Sequence, residues 1–361
     1  MACQLPLILQ ESSNTMIKRT ACLIARGTDP YRNLAVEKHL MDTLPEDTAI
    51  LYLWQNQHTI VIGRNQNPWY ECKVEEFLQS GGRIARRLSG GGAVYHDLGN
   101  LNFTFVLPKT EFDIQKQLSV VSLALGSFGV QTEMSGRNDL QTQGRKFSGN
   151  AFYKAGYSAY HHGTLLLNTN MDYMTHYLTT DKKKLENRGV SSIPSRVVNL
   201  KSICSGMTLA NLQGALYRAF THIYRYEPAM LDEYMMDGPT LERLSSDFAS
   251  NGWLYPADVP YTFTVTERFP WGGVTVKLLQ EGGILRQAKI FTDAMEAGLF
   301  SRMEQVLTGA PYLISAISNR FEQKLAQITD PALAQISQDV CALICGRMKA
   351  MDRSDGQVPE D

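Results

Sequence analysis

Three consecutive glycines stand between a pair of arginines and a short apolar run in Arg86-Arg87-Leu88-Ser89-Gly90-Gly91-Gly92-Ala93-Val94-Tyr95-His96-Asp97. A backbone without Cβ atoms reaches positive φ and lets a ligand approach closely. Successive N–H groups in such a loop can converge into an anion-binding concavity, and guanidinium groups beside it can clamp a phosphate or carboxylate. The residues after the glycines narrow the fold. No Lys-Ser or Lys-Thr comes after Gly92, so the loop is not a P-loop. The next element reads as a strand, whereas a dinucleotide fingerprint must open a helix. Kinase-type and Rossmann-type readings are therefore disfavoured. The first expectation is a site for two anions, a nucleotide phosphate and a carboxylate. The plain alternative is a hairpin loop with solvated arginines.

Any anion recognition must be local, because the formal net charge of the 361-residue chain is only −1 and no global field recruits nucleic acid. With 43% apolar residues the chain can bury a sizeable core, as two domains or one large one. No apolar run reaches the ~20 residues of a membrane span. The six cysteines, Cys3, Cys22, Cys72, Cys204, Cys341 and Cys345, form neither a C-x-x-C pair nor a finger spacing. They read as reduced thiols of a cytoplasmic protein. Residues 1–20 carry one apolar patch and only Lys18 and Arg19 as basic groups, a pattern unlike a secretory signal or a transit peptide. They read as a loosely ordered leader.

Along the chain, Asp29-Pro30 reads as an N-cap and first helical position, opening a helix through Val36, Leu40 and Leu44. Two strands, 49–54 and 59–63, come next with Gln55-Asn56-Gln57 as the turn between them. A short helix over 72–80 is expected to turn Val74, Phe77 and Leu78 inward. Leu101, Phe103, Phe105 and Leu107 alternate with Asn102, Thr104 and Val106, which predicts a strand with one face in the core. A helix spans Ile114 to Phe128, a long strand 157–168, and Thr208 caps a further helix. Asn251-Gly252 and Pro256 to Pro260 read as a linker, followed by strands at 261–265, 274–279 and 284–291 and then helical patterns. The expected organisation is a leader 1–20, a main unit 21–250, a small α+β unit 251–351 and a polar tail 352–361.

Several blocks, in order, resemble the lipoate–protein ligases. They are Asn33-Leu34-Ala35-Val36-Glu37, Val61 through Trp69, Ala85 through Asn100, Ser135 through Leu140, Lys146 with Ser148-Gly149, and His161-His162-Gly163-Thr164-Leu165-Leu166. Asp181-Lys182-Lys183-Lys184-Leu185, Ser195-Arg196-Val197 and Trp271-Gly272-Gly273 extend the match. The resemblance implies an α/β (α+β) fold: a class II synthetase-like catalytic domain with mixed and antiparallel sheets flanked by helices, plus a small α+β C-terminal accessory domain. It also implies a two-step reaction. Lipoate and ATP, with Mg²⁺, give lipoyl-AMP and pyrophosphate. The lipoyl group then passes to a lysine of apo lipoyl domains in 2-oxoacid dehydrogenase E2 subunits, or of glycine cleavage H protein. With the accessory segment fused, a self-sufficient monomer is expected, with no tightly bound cofactor, nucleic acid or membrane partner.

By the same resemblance Lys146 is the catalytic lysine, contacting lipoate and the ATP α-phosphate region; a solvated lysine is its alternative. Arg87, Ser89, Gly90, Gly91, Gly92, Ala93, Val94 and Tyr95 would bind ATP and the acyl-adenylate, with Arg87 also meeting lipoate. The Tyr95 position tolerates another aromatic in the family, so its hydroxyl is not expected to be essential. Arg86 would either touch ligand or pair with a carboxylate. Asn138 and Asp139 would hold the nucleotide, with Asp139 the Mg²⁺ candidate because hard cations take oxygen ligands. An Asx turn is the alternative there. Trp54, His96, His162 and Gly163 would line the lipoate pocket, although an isolated strand histidine is often a satisfied core residue. His161 should face away from His162. Lys182 to Lys184 read as a solvated turn or as a steering patch for acidic domains.

Two other chemistries deserve weighing. An octanoyl transferase of the same superfamily would need a cysteine nucleophile; Met134 to Lys146 contains none, which leaves only Cys204. Biotin ligase lacks support because its Gly-Arg-Gly-Arg type loop is absent. A non-catalytic lipoate- or adenylate-binding protein is the reading from a different class, and the presence of Lys146 speaks against it.

Overall fold

The computed structural model describes residues 17–135, 139–179, 197–257 and 259–354. Asn138, the Asp181 to Lys184 turn, Ser195-Arg196, most of the leader and the tail beyond 354 lie outside the described residues.

In chain order the strands are β1 (Arg19–Ile24), β2 (Thr48–Trp54), β3 (Thr59–Ile62), β4 (Arg83–Arg86), β5 (Val94–His96), β6 (Asn100–Pro108) and β7 (Glu133–Ser135). They continue with β8 (Asp139–Thr142), β9 (Arg145–Ala155), β10 (Ser158–Leu166), β11 (Ala229–Met230), β12 (Phe263–Phe269), β13 (Gly272–Glu281) and β14 (Ile284–Thr292). They form an eight-stranded mixed sheet ordered β11-β1-β2-β6-β10-β9-β8-β7, a small sheet β4-β3-β5, and a C-terminal sheet β12-β13-β14. The architecture is the expected mixed α/β fold with a small α+β C-terminal domain.

Local signals account for the helices. Asp29 accepts from the N–H groups of Tyr31 and Arg32, and Pro30 occupies the first helical position of Pro30–Asp42. Thr208 and Asn211 form a capping box at Leu209–Tyr224. That helix and Ile114–Gly126 cover one face of the large sheet, packing Leu118, Val121, Leu125, Leu216 and Phe220 against Leu101, Phe103, Phe105 and Leu107. Each fully buried aromatic there contributes on the order of 2–3 kcal/mol. Leu34 and Leu40 of Pro30–Asp42, with Leu241 and Phe248 of the helix Gly238–Ala249, pack against the other face.

Several expectations are corrected. The strands at 49–54 and 59–63 do not form a hairpin: β2 pairs with β1 and β6, while β3 pairs with β4 and β5 in the small sheet. In Val74–Gln79, Val74 and Phe77 are buried but Leu78 is exposed, because one turn cannot point all three positions at one neighbour. β6 is buried along its whole length, since β2 and β10 flank it and both faces are covered. Asn251–Leu254 is a helical turn capped by Ser250, not a linker. The helix Gly238–Ala249 was not anticipated.

The C-terminal domain follows its pattern closely. β13 alternates buried and half-buried positions, and Val274, Val276 and Leu278 meet Phe300, Met303, Ile317 and Val340 from its helices. The Trp271-Gly272-Gly273 motif is structural: Trp271 stacks on Phe269 and donates to Asp339 Oδ2 at 2.7 Å, and Gly273 N donates to Asp293 Oδ1 at 2.7 Å. The turn after β14 meets the glycine loop. Gly91 N donates to Ala294 O at 3.0 Å, Thr292 N to Asn65 O at 2.9 Å, and Asn65 Nδ2 to Ala297 O at 2.9 Å. Among the described residues no helix is long and apolar enough to cross a membrane.

Candidate active site

A cavity opens between the large sheet and the small one. Trp54 (β2), Asn102 (β6), Asn150 (β9) and His162 (β10) line one side, and Val61, Gly91 through Val94, and His96 the other. Arg87, Lys146, Gly163 and Leu34 complete its principal walls. Strand alternation explains the polar lining. The face of β6 opposite the phenylalanines carries Asn102 and Thr104, and on β10 the partner of Thr104 is His162. Polar residues at alternating positions here face a site rather than solvent.

The glycine loop is wrapped around Arg87. The buried guanidinium donates from Nη2 to Gly90 O at 2.6 Å and Gly92 O at 2.7 Å, from Nη1 to Val61 O at 3.1 Å, and from Nε to Ser89 Oγ at 3.1 Å. Burial lowers its pKa to about 10, so it stays charged at neutral pH. With its carbonyls turned to Arg87, the loop presents N–H groups elsewhere; among the described residues nothing accepts from those of Gly92 and Ala93. Gly91 sits at φ +86, which favours glycine, and a Cβ at Gly90 would fall 2.3 Å from Ala294 O. Arg86 does not line the cavity and, among the described residues, meets no carboxylate. It is buried and donates to the carbonyls of Gly63, Arg64, Gln66, Trp253 and Leu254, tying the small sheet to the helical turn Asn251–Leu254.

Lys146 stands at the mouth, its side chain 39% exposed, with Nζ 2.8 Å from Asp139 Oδ1. The far end is closed by Trp54 and His96, each only 3% exposed. His162 lies in a buried chain: Nδ1 is 2.9 Å from Glu37 Oε1 and Nε2 is 2.8 Å from Ser89 Oγ. Thr104 donates to the same Glu37 oxygen at 2.7 Å and receives Trp54 Nε1 at 2.9 Å. Ser89, His162 and Glu37 have the order of a nucleophile–base–acid triad. Ser89, however, is fully buried and outside the cavity lining, so the chain orients His162 and Arg87 instead of attacking a substrate. Glu37 was not singled out from sequence as a site residue. Its signal was a carboxylate one turn after Asn33 on the helix side that also carries Leu34, Leu40 and Met41.

The structure thus brings Trp54, Arg87, Gly91, Gly92, Ala93, Val94, His96, Lys146, His162 and Gly163 to one cavity. Ser89 and Gly90 support the loop from behind. Tyr95 points away, because the period of two in β5 sends it between its lining neighbours Val94 and His96 into the cluster of Phe77 and Tyr177, where its hydroxyl meets His58 Nδ1 at 3.1 Å. At Gly163 an added Cβ would strike Asn150 Oδ1 at 2.3 Å and the Phe103 ring at 2.5 Å, so the absence of a side chain serves the core, and only backbone faces the cavity. His161 faces away from His162 as expected, toward Gln117 Oε1 at 2.9 Å. Cys204 packs against the main core, and among the described residues no cysteine lines the cavity.

Comparison with known proteins is in keeping with this geometry. Residues 29–221 match the family model for the lipoyl protein ligase A/B catalytic domain, and residues 258–338 that for the bacterial lipoate protein ligase C-terminus. A lipoate-protein ligase A of Psychrobacter cryohalolentis is 34% identical over 330 residues, 89% of this chain and 97% of that protein. The crystal structure of P. falciparum LipL1 in complex with lipoate is similar at a TM-score of 0.78 and 26% identity, covering 89% of this chain and 99% of that one. A lipoate-protein ligase A structure bound with ATP shares the fold at a TM-score of 0.55 and 21% identity, covering 66% and 98%.

Proposed function

The chain belongs to the lipoate–protein ligase family, and we propose that it joins lipoate to proteins through an adenylate. In the first step a lipoate carboxylate oxygen attacks the α-phosphorus of ATP, the bond to the β-phosphate oxygen breaks, and pyrophosphate leaves. In the second step a lysine ε-amine of an apo lipoyl domain, from an E2 subunit or H protein, attacks the lipoyl carbonyl and AMP departs. One observation carries this reading: a single cavity is lined by a half-buried lysine and by a loop whose Gly92 and Ala93 N–H groups have no acceptor among the described residues, and is closed by Trp54 and His96. Those are the two chemistries an acyl-adenylate presents.

The residues divide the work accordingly. Lys146 sits where the carboxylate and α-phosphate meet and offsets their repulsion. A unit charge 4 Å away is worth about 4 kcal/mol at an effective dielectric near 20. ATP must draw Lys146 from Asp139. Gly92 and Ala93 offer N–H groups to phosphate, while Arg87 holds the loop in shape and adds positive charge. Trp54, His96 and His162 receive the dithiolane and acyl chain. Magnesium fits as a partner of the phosphates, whose charge it would reduce. Asp139 is the carboxylate beside Lys146, and among the described residues no three ligating side chains cluster, so phosphate and water would supply most ligands. We draw the boundary between catalytic and accessory domains after Leu254, whose carbonyl belongs to the Arg86 tether.

The test incubates the protein with ATP, Mg²⁺, lipoate and an apo lipoyl domain and weighs the acceptor. A lipoyl mass gain that requires ATP and is lost in Lys146→Ala is expected. Transfer from an acyl-carrier thioester without ATP would overturn the ligase mechanism.

A further inference from the structure

The protonation of His96 can be read from its surroundings. Asn33 Nδ2 donates to the backbone carbonyl of Gln55 at 2.8 Å, which fixes which end of that amide is nitrogen. Asn33 Nδ2 also donates to Asn56 Oδ1 at 3.0 Å, so Asn56 turns its own Nδ2 to His96 Nδ1 at 3.2 Å. Asn102 Nδ2 faces the same ring nitrogen at 3.4 Å. Two N–H donors converge on Nδ1, so Nδ1 accepts and the ring proton sits on Nε2. Burial, then the charges of Arg87 and His162, push the pKa down to about 3, and the ring is neutral. Nε2, on the other edge of the ring, is buried and has no partner among the described residues. A buried N–H without an acceptor is rare and calls for an explanation. This ring lines the cavity with Trp54, Val61 and Leu34 at its closed end, whereas the half-buried Lys146 stands at the mouth.

We propose that His96 Nε2–H donates to a dithiolane sulfur of lipoate and so makes the cavity prefer lipoate to an acid of the same shape without sulfur. The proposal rests on the ligase reading above, which puts the carboxylate at Lys146 and the ring at the far end. A hydrocarbon terminus would leave the N–H unsatisfied, whereas sulfur is a weak acceptor of suitable size. A polar terminus would instead face the ring edges of Trp54 and the side chains of Val61 and Leu34. With Asn102 engaged by His96 and Asn100, the one donor left without a partner beside Trp54, Val61 and Leu34 suits one soft acceptor, and the preference should be about three- to tenfold, the range of one net hydrogen bond.

The test compares lipoate with 5-cyclopentylpentanoate, in which carbon replaces both sulfurs, by calorimetry on the full chain. Wild type should bind lipoate about three- to tenfold more tightly, and His96→Phe should bring the ratio close to one. Because that variant also removes the acceptor for Asn56 and Asn102, ¹⁵N-histidine NMR of wild type provides a second readout. The Nε2–H resonance should be present in the free protein and move downfield with lipoate but not with the carbon analogue. Equal affinities in wild type, an unchanged ratio in the variant, or a proton on Nδ1 would overturn the proposal and leave the ligase reading intact. Binding of neither acid to wild type would overturn both.

Discussion

Acidification from about pH 7 to about pH 5 should destabilise this protein through two histidines that fold uncharged. His96 and His161 are both buried, and burial is the main reason each titrates near 3 instead of at its ordinary value. A neutral ring donates once. For His161 the donation goes from Nε2 to Asn150 Oδ1 at 3.1 Å, and Gln117, whose amide nitrogen otherwise has no partner, would turn that nitrogen to Nδ1. In the unfolded chain both rings titrate near ~6.5. Between that value and the folded one, the unfolded chain binds more protons, so stability is fully present above about pH 6.5 and falls as pH drops. From pH 7 to 5 each ring should account for about 2 kcal/mol, together about 4 kcal/mol, a large part of a typical folding free energy. Urea unfolding monitored by tryptophan fluorescence at several pH values measures this directly. His161→Gln should lose roughly half of the pH dependence, after any constant cost of the substitution is subtracted. A wild-type stability that is flat across this range, or a variant slope equal to wild type, would refute the reasoning.

The geometry sets the outcome of further substitutions. Gly90→Ala should lose about 1–3 kcal/mol by calorimetric melting and loosen the loop from the C-terminal domain, because its Cβ would meet backbone oxygens of Ala294 and Met295 at 2.3 and 2.4 Å. Gly92→Ala, with nothing within 4 Å, should stay within about 0.5 kcal/mol of wild type. Arg86→Ala removes the donor to the carbonyls of Arg64, Gln66, Trp253 and Leu254, while Gly63 O keeps the N–H of Gln66, and should lower stability by about 3–5 kcal/mol in denaturant titrations, although Arg86 does not line the cavity. Cys204→Ser should keep full ATP-dependent lipoylation in the acceptor mass assay; its loss would revive a thioester mechanism.

Local chemistry determined much of this protein from sequence alone. The Asp29-Pro30 and Thr208 caps, the alternation in β6 and β13, and the glycine loop all depend on neighbours a few residues away. Such patterns are legible because helices and strands repeat every few residues. The motif order likewise carried the family, and with it the lysine and the loop.

Tertiary structure alone decided what those elements face. Alternation could not reveal that the polar side of β6 looks into a cavity, because a strand repeat is the same whether water or a second sheet lies opposite. Nor could it reveal that β2 and β3 part into different sheets. Arg86 resembled a ligand residue until its partners came from Trp253 and Leu254, 167 and 168 residues away. Tyr95 sits inside the ligand motif yet points out of the site. His96 gains its proton position from Asn33 by way of Asn56, a relay spread over a helix, a turn and a strand. Hydrogen-bond direction in a buried network belongs to the whole network, and only the folded chain closes it.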